Sequence, residues 1–355
     1  MSRLARYVAS TVLSAMAIVL VLLLGLDVVF SFLGELEDLR DNYQSAQAFI
    51  YVLLTLPLRL YDMISVAALI GGMVGLGLLA NHAELTVMRA AGLSVWRIVL
   101  WVMQPALLLV VGSLLIAEYV VPVSQPQAEA YKAQALGQTV SSGELWGYWQ
   151  KQGDTLVQMH NVTPEGKLRG VSFYQFSADG MLVNKQFAQQ GEYQQNNQWL
   201  LSQVAEHHID KSGQVHVQQH TNKQWHSELT PEFLQLVTVN PEYLAPTRLY
   251  RYAEYLQGQG LAATQYFLEF WKKLLAPVAT LSMVLVACSF IFGPLRSMTM
   301  GLRLIFGIFA GLGFRYLQDF SGYASLVYHF SPLLAAALPI SVCLLGGVWA
   351  LMRVK

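Results

Sequence analysis

Residues 8–33 read VASTVLSAMAIVLVLLLGLDVVFSFL, an apolar run in which Asp27 is the single ionisable side chain. An α-helix needs ~20 residues to cross the hydrocarbon of a bilayer, so this run is long enough to span a membrane. The run is far longer than the core of a signal peptide, and no small-residue cleavage pattern accompanies it. We therefore expect it to remain in the protein as a membrane helix.

Five more apolar runs of similar length flank a polar stretch in the middle of the chain. They lie at residues 60–80, 98–121, 274–293, 301–320 and 332–352. Charged residues make up only 12% of the chain and hydrophobic residues 54%, whereas soluble domains carry about 25% charged residues. The sequence predicts an α-helical membrane protein with transmembrane helices 1–3 in residues 1–122, an inserted domain at 123–265 and transmembrane helices 4–6 in residues 266–355.

Basic residues in the short links predict the orientation, because links rich in Lys and Arg stay in the cytoplasm. If all six spans are real, four basic segments share one side of the membrane. These segments contain Arg3, Arg6, Arg89, Arg97, Arg296, Arg303, Arg353 and Lys355. The other side carries Arg40 and Arg59 among acidic residues, and Lys272 and Lys273 beside the long insert, where charge has little influence. Both termini are therefore expected in the cytoplasm.

The insert has the texture of an all-β domain. Turn signals such as Gly153, Gly166, Gly180 and Gly213 recur at fairly regular spacing, and the segments between them are rich in β-branched and aromatic residues. Such a pattern favours a sandwich or an open barrel. Apolar residues lie on both faces of some strands, which fits either a two-sided core or one face that holds an apolar ligand. Residues 247–273 then change to a helical period and lead back to the membrane.

The usual catalytic motifs are missing. The sequence has no G-x-x-x-x-G-K-[ST] phosphate loop, no H-E-x-x-H and no G-x-S-x-G, so we expect no catalytic residue and no ATP hydrolysis by this chain. Among the histidines of the insert, His216 and His220 would stand about 13 Å apart on a strand, too far for one metal ion. We predict no metal site, no bound cofactor and no nucleic-acid partner.

The link between spans two and three reads NHAELTVMRAAG over residues 81–92 and predicts a short helix. Asn81 is the expected N-cap, with Glu84 three residues later and Gly92 as the terminator. A helix this short is marginal alone in water, so we expect it to dock onto something. Two interpretations remain open: Leu85 and Met88 contact the membrane helices and Glu84 completes a capping box, or the helix inserts into a partner.

Two segments resemble a known family. Residues 80–92, ANHAELTVMRAAG, residues 289–301, SFIFGPLRSMTMG, and the six-span layout are similar to the LptF/LptG permeases of bacterial lipopolysaccharide export. The second segment is more similar to the LptG members than to the LptF members. The resemblance covers essentially the whole chain and is strongest in these links.

The resemblance implies a set of partners and a fold for the insert. It implies pairing with the permease LptF, two LptB ATPase subunits that bind ATP and magnesium, and a periplasmic β-jellyroll that passes lipid to LptC. By position, Glu84 matches the glutamate of the family's coupling helix, which engages a groove on LptB. Leu85, Met88 and Arg89 belong to the same expected coupling segment.

At the outer end of the first helix, where lipid phosphates would be expected to bind, this sequence departs from the family. The family has basic residues there, whereas this chain has Ser31, Glu35, Glu37 and Asp38, with Arg40 as the only nearby base. LptF or a divalent cation could neutralise the lipid phosphates instead.

Asp27 and Arg315 lie inside spans and away from their ends, where charge is costly and usually faces a partner or a wet cavity. Asp27 is about 28 Å from residue 8, and Arg315 is about 21 Å from Gly301, so both fall in the outer half of the bilayer. We take Arg315, Arg40 and Asp27 as candidate lipid-binding residues. Arg315 either faces a cavity and attracts the anionic head, or it snorkels or pairs with Asp319 or Asp27.

With what the resemblance implies, we expect a non-catalytic permease subunit that extracts lipopolysaccharide from the outer leaflet of the inner membrane. A membrane sensor or scaffold, whose insert binds an envelope ligand, is the competing class. A transporter of a different substrate is a third possibility.

Overall fold

The computed structural model describes residues 3–39, 43–136, 148–162, 167–177, 180–194, 197–209, 214–227, 240–258, 262–293 and 298–353. Within these residues, six helices are long and apolar enough to cross a membrane, as the sequence predicts. The helices are α1 (Arg3–Glu35), α2 (Ser45–Asn81), α3 (Glu84–Ala90), α4 (Val95–Leu115), α5 (Val121–Ala135), α6 (Pro246–Gly258), α7 (Thr264–Phe292), α8 (Met300–Tyr328) and α9 (Pro332–Met352). Contacts divide the chain into two compact units, residues 1–129 with 241–355, and residues 130–240.

Several of the membrane helices extend beyond the apolar runs from which they were predicted. The second membrane span begins at Ser45 rather than near residue 60. The third membrane span, which comprises α4, a π turn and α5, continues from Val95 to Ala135. A π-helical turn at Ile116–Val120 lies just before Pro122 in the third helix. Proline lacks an N–H and crowds the preceding turn, and a π turn relieves that crowding without ending the helix. Hydropathy locates the hydrocarbon, whereas the helix itself continues into polar sequence.

Small residues let α1 and α2 approach closely. A Cβ at Gly71 would lie 2.4 Å from Met16 Cα, and one at Gly75 would lie 2.8 Å from Val12 Cα. Gly307 of α8 also packs against α2, although there the neighbour is a side chain, since its Cβ would lie 2.9 Å from Met73 Sδ. The glycine stripes therefore serve helix packing, which is their usual role in membranes.

Replacing Gly71 by alanine should force α1 away from α2, because the clash is with backbone rather than with a movable side chain. We expect a loss of about 1–3 kcal/mol of stability. Thermal unfolding in detergent measures it, with Gly313→Ala as the control, since nothing lies within 4 Å of a Cβ at that position. Equal melting temperatures for the two variants would contradict the packing described.

The inserted domain contains a six-stranded antiparallel sheet in the order β1-β2-β3-β4-β5-β6. Its strands are β1 (Tyr148–Gln152), β2 (Thr155–Val162), β3 (Leu168–Phe176), β4 (Leu182–Gln194), β5 (Gln198–Ile209) and β6 (Val215–His226). The described residues between 148 and 226 are thus all-β, whereas α5 and α6 make the two ends of the insert helical. The jellyroll type stays a prediction, as does the functional division at residues 123 and 265.

The core of the sheet lies on one face. Val171 and Phe173 belong to it with Trp199 and Leu201, whereas Tyr174 stacks on Trp149 with ring centroids 5.5 Å apart. The apolar residues on both faces of β3 therefore have different roles, a core on one side and an aromatic surface pair on the other.

The carboxylate of Glu206 in β5 accepts hydrogen bonds from three side chains of the sheet. The donors are Lys223 Nζ at 2.8 Å, Asn184 Nδ2 at 2.8 Å and Gln186 Nε2 at 2.7 Å. Partial burial alone would raise its pKa, but these hydrogen bonds outweigh it and lower the pKa below the ordinary 4.5.

A lowered pKa means that ionised Glu206 stabilises the fold above its unfolded pKa, and that this stabilisation is lost as the pH falls through the lower folded value. We expect Glu206→Gln to be less stable than the parent at pH 7, with the difference shrinking below pH 4.5 and vanishing once the pH is below the lower folded pKa. Urea unfolding of the full chain, followed by circular dichroism at several pH values, measures this. A difference that persists unchanged at low pH would contradict it.

Candidate functional site

The short helix α3 begins differently from the sequence prediction. Asn81 is the last residue of α2 rather than an N-cap, and its Oδ1 accepts a hydrogen bond from Arg303 Nη1 at 3.4 Å. The residue before α3 is Ala83, in the left-handed region with φ 59°. Glu84 is therefore the first helical residue and cannot close a capping box with Asn81. An acidic side chain at this position still interacts favourably with the helix dipole.

The helix ends at Ala90, and Gly92 is its terminator, as predicted. The Gly92 N–H donates to the Arg89 carbonyl at 3.0 Å and the Leu93 N–H to the Met88 carbonyl at 3.2 Å. This pair of bonds is a Schellman motif, which needs a left-handed residue, and Gly92 has φ 87°. The turn fixes where α4 starts, three residues later at Val95.

One side of α3 packs on the membrane helices. Leu85 and Met88 are 5% and 6% exposed and belong to the main hydrophobic cluster of the bundle. The sequence left open whether they contact the bundle or a partner, and the structure gives them the bundle contact. Val87 is 66% exposed on the other side. One face of α3 is thus packed on the bundle, and the opposite face is exposed and open to a partner.

Glu84 lies at the edge of that exposed face. It is half-buried, and its Oε1 accepts a hydrogen bond from the Tyr7 hydroxyl at 3.1 Å. Arg89, at the other end of α3, is also half-buried. The Tyr7 bond joins α3 to the first turns of α1, so that the carboxylate has a defined position on the surface.

Arg303 is a functional candidate that sequence reasoning missed, because it was counted only as a basic residue of a link. It lies near the start of α8, is 3% exposed, and Nη1 also approaches the Gly77 carbonyl at 3.5 Å. Buried cations normally need such partners. This side chain ties α8 to the end of α2, directly before α3. Its position three residues inside an apolar run was the available signal.

A second candidate site is a cavity of about 220 Å³ among α2, α4, α7 and α8. Its lining includes Arg315, so the structure brings that predicted residue to a cavity. Several other charged side chains share the lining: Asp62, Glu242, Glu269, Lys272, Lys273 and Asp319. Acidic groups therefore outnumber basic ones in this part of the cavity.

The two lysines of the cavity are engaged by neighbouring groups. Lys273 is 4% exposed and donates to the backbone carbonyls of Glu242 and Leu244, both at 2.7 Å. Lys272 pairs with Glu269 at 2.8 Å. Arg315 is exposed and shares the cavity lining with Asp62. Arg315 is thus the cation of this cavity best placed to meet an external anion.

Asp27 is not part of this cavity, although we predicted it as a lipid-binding candidate. Its Oδ2 accepts from Arg59 Nη1 at 2.8 Å, and Arg59 also donates to Ser31. A pairing between Asp27 and Arg315 is therefore wrong for this conformation. Arg40, the third candidate, lies outside the described residues.

Comparison with known proteins gives one consistent result. The family model for the lipopolysaccharide export system permease LptF/LptG matches residues 6–353. The chain is 34% identical over 352 residues to the lipopolysaccharide export system permease protein LptG of Escherichia coli strain K12, covering 98% of this chain and 97% of the relative. It is 32% identical over 354 residues to the protein of that name from Haemophilus influenzae, covering 98% of each.

Proposed function

Since this chain belongs to the LptF/LptG family of lipopolysaccharide export permeases, we propose that it moves lipid by converting the ATP cycle of a partner into closure of its own outer cavity. The chain is a multi-pass inner-membrane subunit of the export system. In this proposal both termini are cytoplasmic and residues 123–265 are periplasmic. ATP and magnesium bind to an LptB dimer rather than to this chain.

The observation that carries the proposal is the attachment of α3. The helix is held to the bundle by Leu85 and Met88 and presents Glu84 and Val87. A partner that grips the presented face would move a helix whose other face is locked into the membrane core. Leu85 and Met88 then transmit force through packing, while Glu84 and Arg89 contact the ATPase.

Arg303 supplies a route from α3 to the outer cavity. It joins the end of α2 to the start of α8, and Arg315 lies about 18 Å further along the same helix. Because helices are stiff and packed cores change by discrete shifts, displacement at Arg303 reaches Arg315. Closing the cavity removes the apolar walls around the acyl chains, and the lipid leaves for the periplasmic domain.

The partner permease LptF would pack on the exposed apolar faces of the outer helices. On α8, one stripe at helical spacing is more than two-thirds exposed: Phe309, Tyr316, Phe320, Tyr323 and Val327. Residues spaced by three, four and seven share a helix face. A paired permease covering part of this stripe would complete the cavity around Arg315. It would also supply further cations for the lipid phosphates, or a divalent cation would bridge them to the acidic groups.

Co-purification from membranes, followed by reconstitution in vesicles, tests the proposal. We expect the chain to bring down a second permease and an ATPase, and the complex to release lipopolysaccharide to an added LptC acceptor only with ATP and magnesium. Purification without any ATPase, together with release that is independent of nucleotide, would favour the sensor or scaffold instead.

A further inference from the structure

The core face of the β-sheet changes from apolar to polar along its strands. Alternate residues share a face, so Thr155 lies on the side of Val157 in β2, and Gln175 on the side of Phe173 in β3. In β4, Asn184 and Gln186 lie on the side of the buried Ala188. One end of the face is a hydrophobic core, and the other end carries polar side chains.

Strand β5 reaches the same arrangement through one unusual residue. Gln203 has φ 54°, in the left-handed region. Before Gln203 the odd-numbered residues Trp199 and Leu201 are buried, and after it the even-numbered Val204 is buried. The residues that face the core therefore change from odd to even numbers at Gln203. Glu206 follows two residues after Val204 and joins the polar end, where Lys223 of β6 binds it at 2.8 Å.

A cavity of about 280 Å³ lies at the border between the two ends. Its apolar wall contains Phe173, Leu201 and Trp225, and the two aromatic rings meet edge to face at 5.0 Å. Trp225 Nε1 donates to Gln152 Oε1 at 3.2 Å, which fixes the indole. The polar wall contains amides and a cation: Gln152, Gln175, Asn184, Gln186, Lys223 and Gln224.

An acyl chain fits this wall poorly. It would bury the Lys223–Glu206 ion pair and several amides without offering them a hydrogen bond, which is costly. One acceptor is already unsatisfied, because Asn184 Oδ1 is buried without a hydrogen-bond donor among the described residues. A hydroxyl-rich ligand would meet that acceptor and the surrounding amides, while aromatic rings suit the apolar faces of sugar rings.

We propose that the polar end of this cavity binds an oligosaccharide, and that the glycan part of the exported lipopolysaccharide is the ligand. The second part of the proposal rests on the proposed function. Acyl chains and sugar would then separate along one sheet, with the sugar held by Lys223, Gln175 and the amides of β4.

Isothermal titration of the purified full-length chain in detergent tests the site without any ATPase or second permease. The probes are delipidated core oligosaccharide, maltohexaose and lipid A without glycan. We expect the core oligosaccharide to bind, and Lys223→Met to weaken it about tenfold through loss of charge-assisted hydrogen bonds. Gln175→Leu should weaken it severalfold, and because Gln175 is exposed this variant should fold normally.

The control is Lys185→Met. Lys185 lies between Asn184 and Gln186 in β4, so its side chain is on the opposite face of the sheet, near the Tyr174 ring. This variant should bind like the parent. Absence of oligosaccharide binding, or equal affinity in all variants, would overturn the proposal. So would competition by lipid A alone, which would assign the site to acyl chains or phosphate.

Maltohexaose distinguishes a site for the glycan of lipopolysaccharide from a site for any oligosaccharide. Equal binding of maltohexaose, with the same response to Lys223→Met, would keep a saccharide site but overturn its assignment to lipopolysaccharide. Failure of the export function would instead show in the reconstituted complex and would leave these titrations unchanged.

Discussion

Replacing Glu84 by alanine should lower ATP-driven lipopolysaccharide export at least about tenfold, because truncating one partner of a charged interface contact costs ~2 kcal/mol or more. The fold should survive, since Glu84 is half-exposed and its bond within the described chain is to Tyr7 at 3.1 Å. Release of lipid from vesicles containing the complete complex measures the effect. Thermal unfolding of the purified chain checks the fold.

Tyr7→Phe is the matched control for this substitution. It removes the same hydrogen bond but leaves the Glu84 carboxylate, so export should fall less than about threefold. If Tyr7→Phe and Glu84→Ala reduced export equally, the carboxylate would act only within this chain. Unaltered export in Glu84→Ala would exclude the coupling role altogether.

Arg315→Glu should abolish most stimulation of ATPase activity by lipopolysaccharide, with a loss of about tenfold or more, because a like charge facing a phosphate costs several kcal/mol. The reversal also adds a carboxylate to a cavity that already contains Asp62, Glu269 and Asp319. The measurement is ATP hydrolysis by the complex in vesicles with and without lipopolysaccharide.

Two controls accompany the Arg315 experiment. Arg315→Lys keeps the charge and should retain most of the stimulation. Arg248→Glu reverses an exposed charge on α6 that does not line the cavity and should leave stimulation intact. Normal stimulation in Arg315→Glu would show that this arginine only snorkels to the interface.

The membrane helices could be predicted from the sequence because hydrocarbon thickness imposes a length and composition on every span. The same reasoning placed Arg59 in a loop, since the second apolar run begins near residue 60. In the structure α2 begins at Ser45, and Arg59 reaches Asp27 from inside a helix. Hydropathy carries no information on helix length outside the bilayer, so the pair could not be foreseen.

For α3, the end could be predicted from the sequence but the start could not. The C-terminal stop at Gly92 was predictable, because a Schellman motif depends on a local left-handed residue. The start was not predictable, because Asn81 accepts a hydrogen bond from Arg303, which lies 222 residues away in the sequence. A long-range contact replaced the local cap. The polar end of the sheet was also hidden, because Gln203 and its left-handed φ shift the alternation on which strand reasoning depends.

Photo-crosslinking from α3 shows whether the ATPase contacts the exposed face of this helix. A photoreactive residue replaces Val87, which is 66% exposed, or Leu85, which is 5% exposed, and the membranes are irradiated with the whole export system present. We expect an adduct between position 87 and the ATPase subunit, and none from position 85. Absence of an ATPase adduct from position 87, with the complex otherwise intact, would contradict the claim that the ATPase drives this permease through α3.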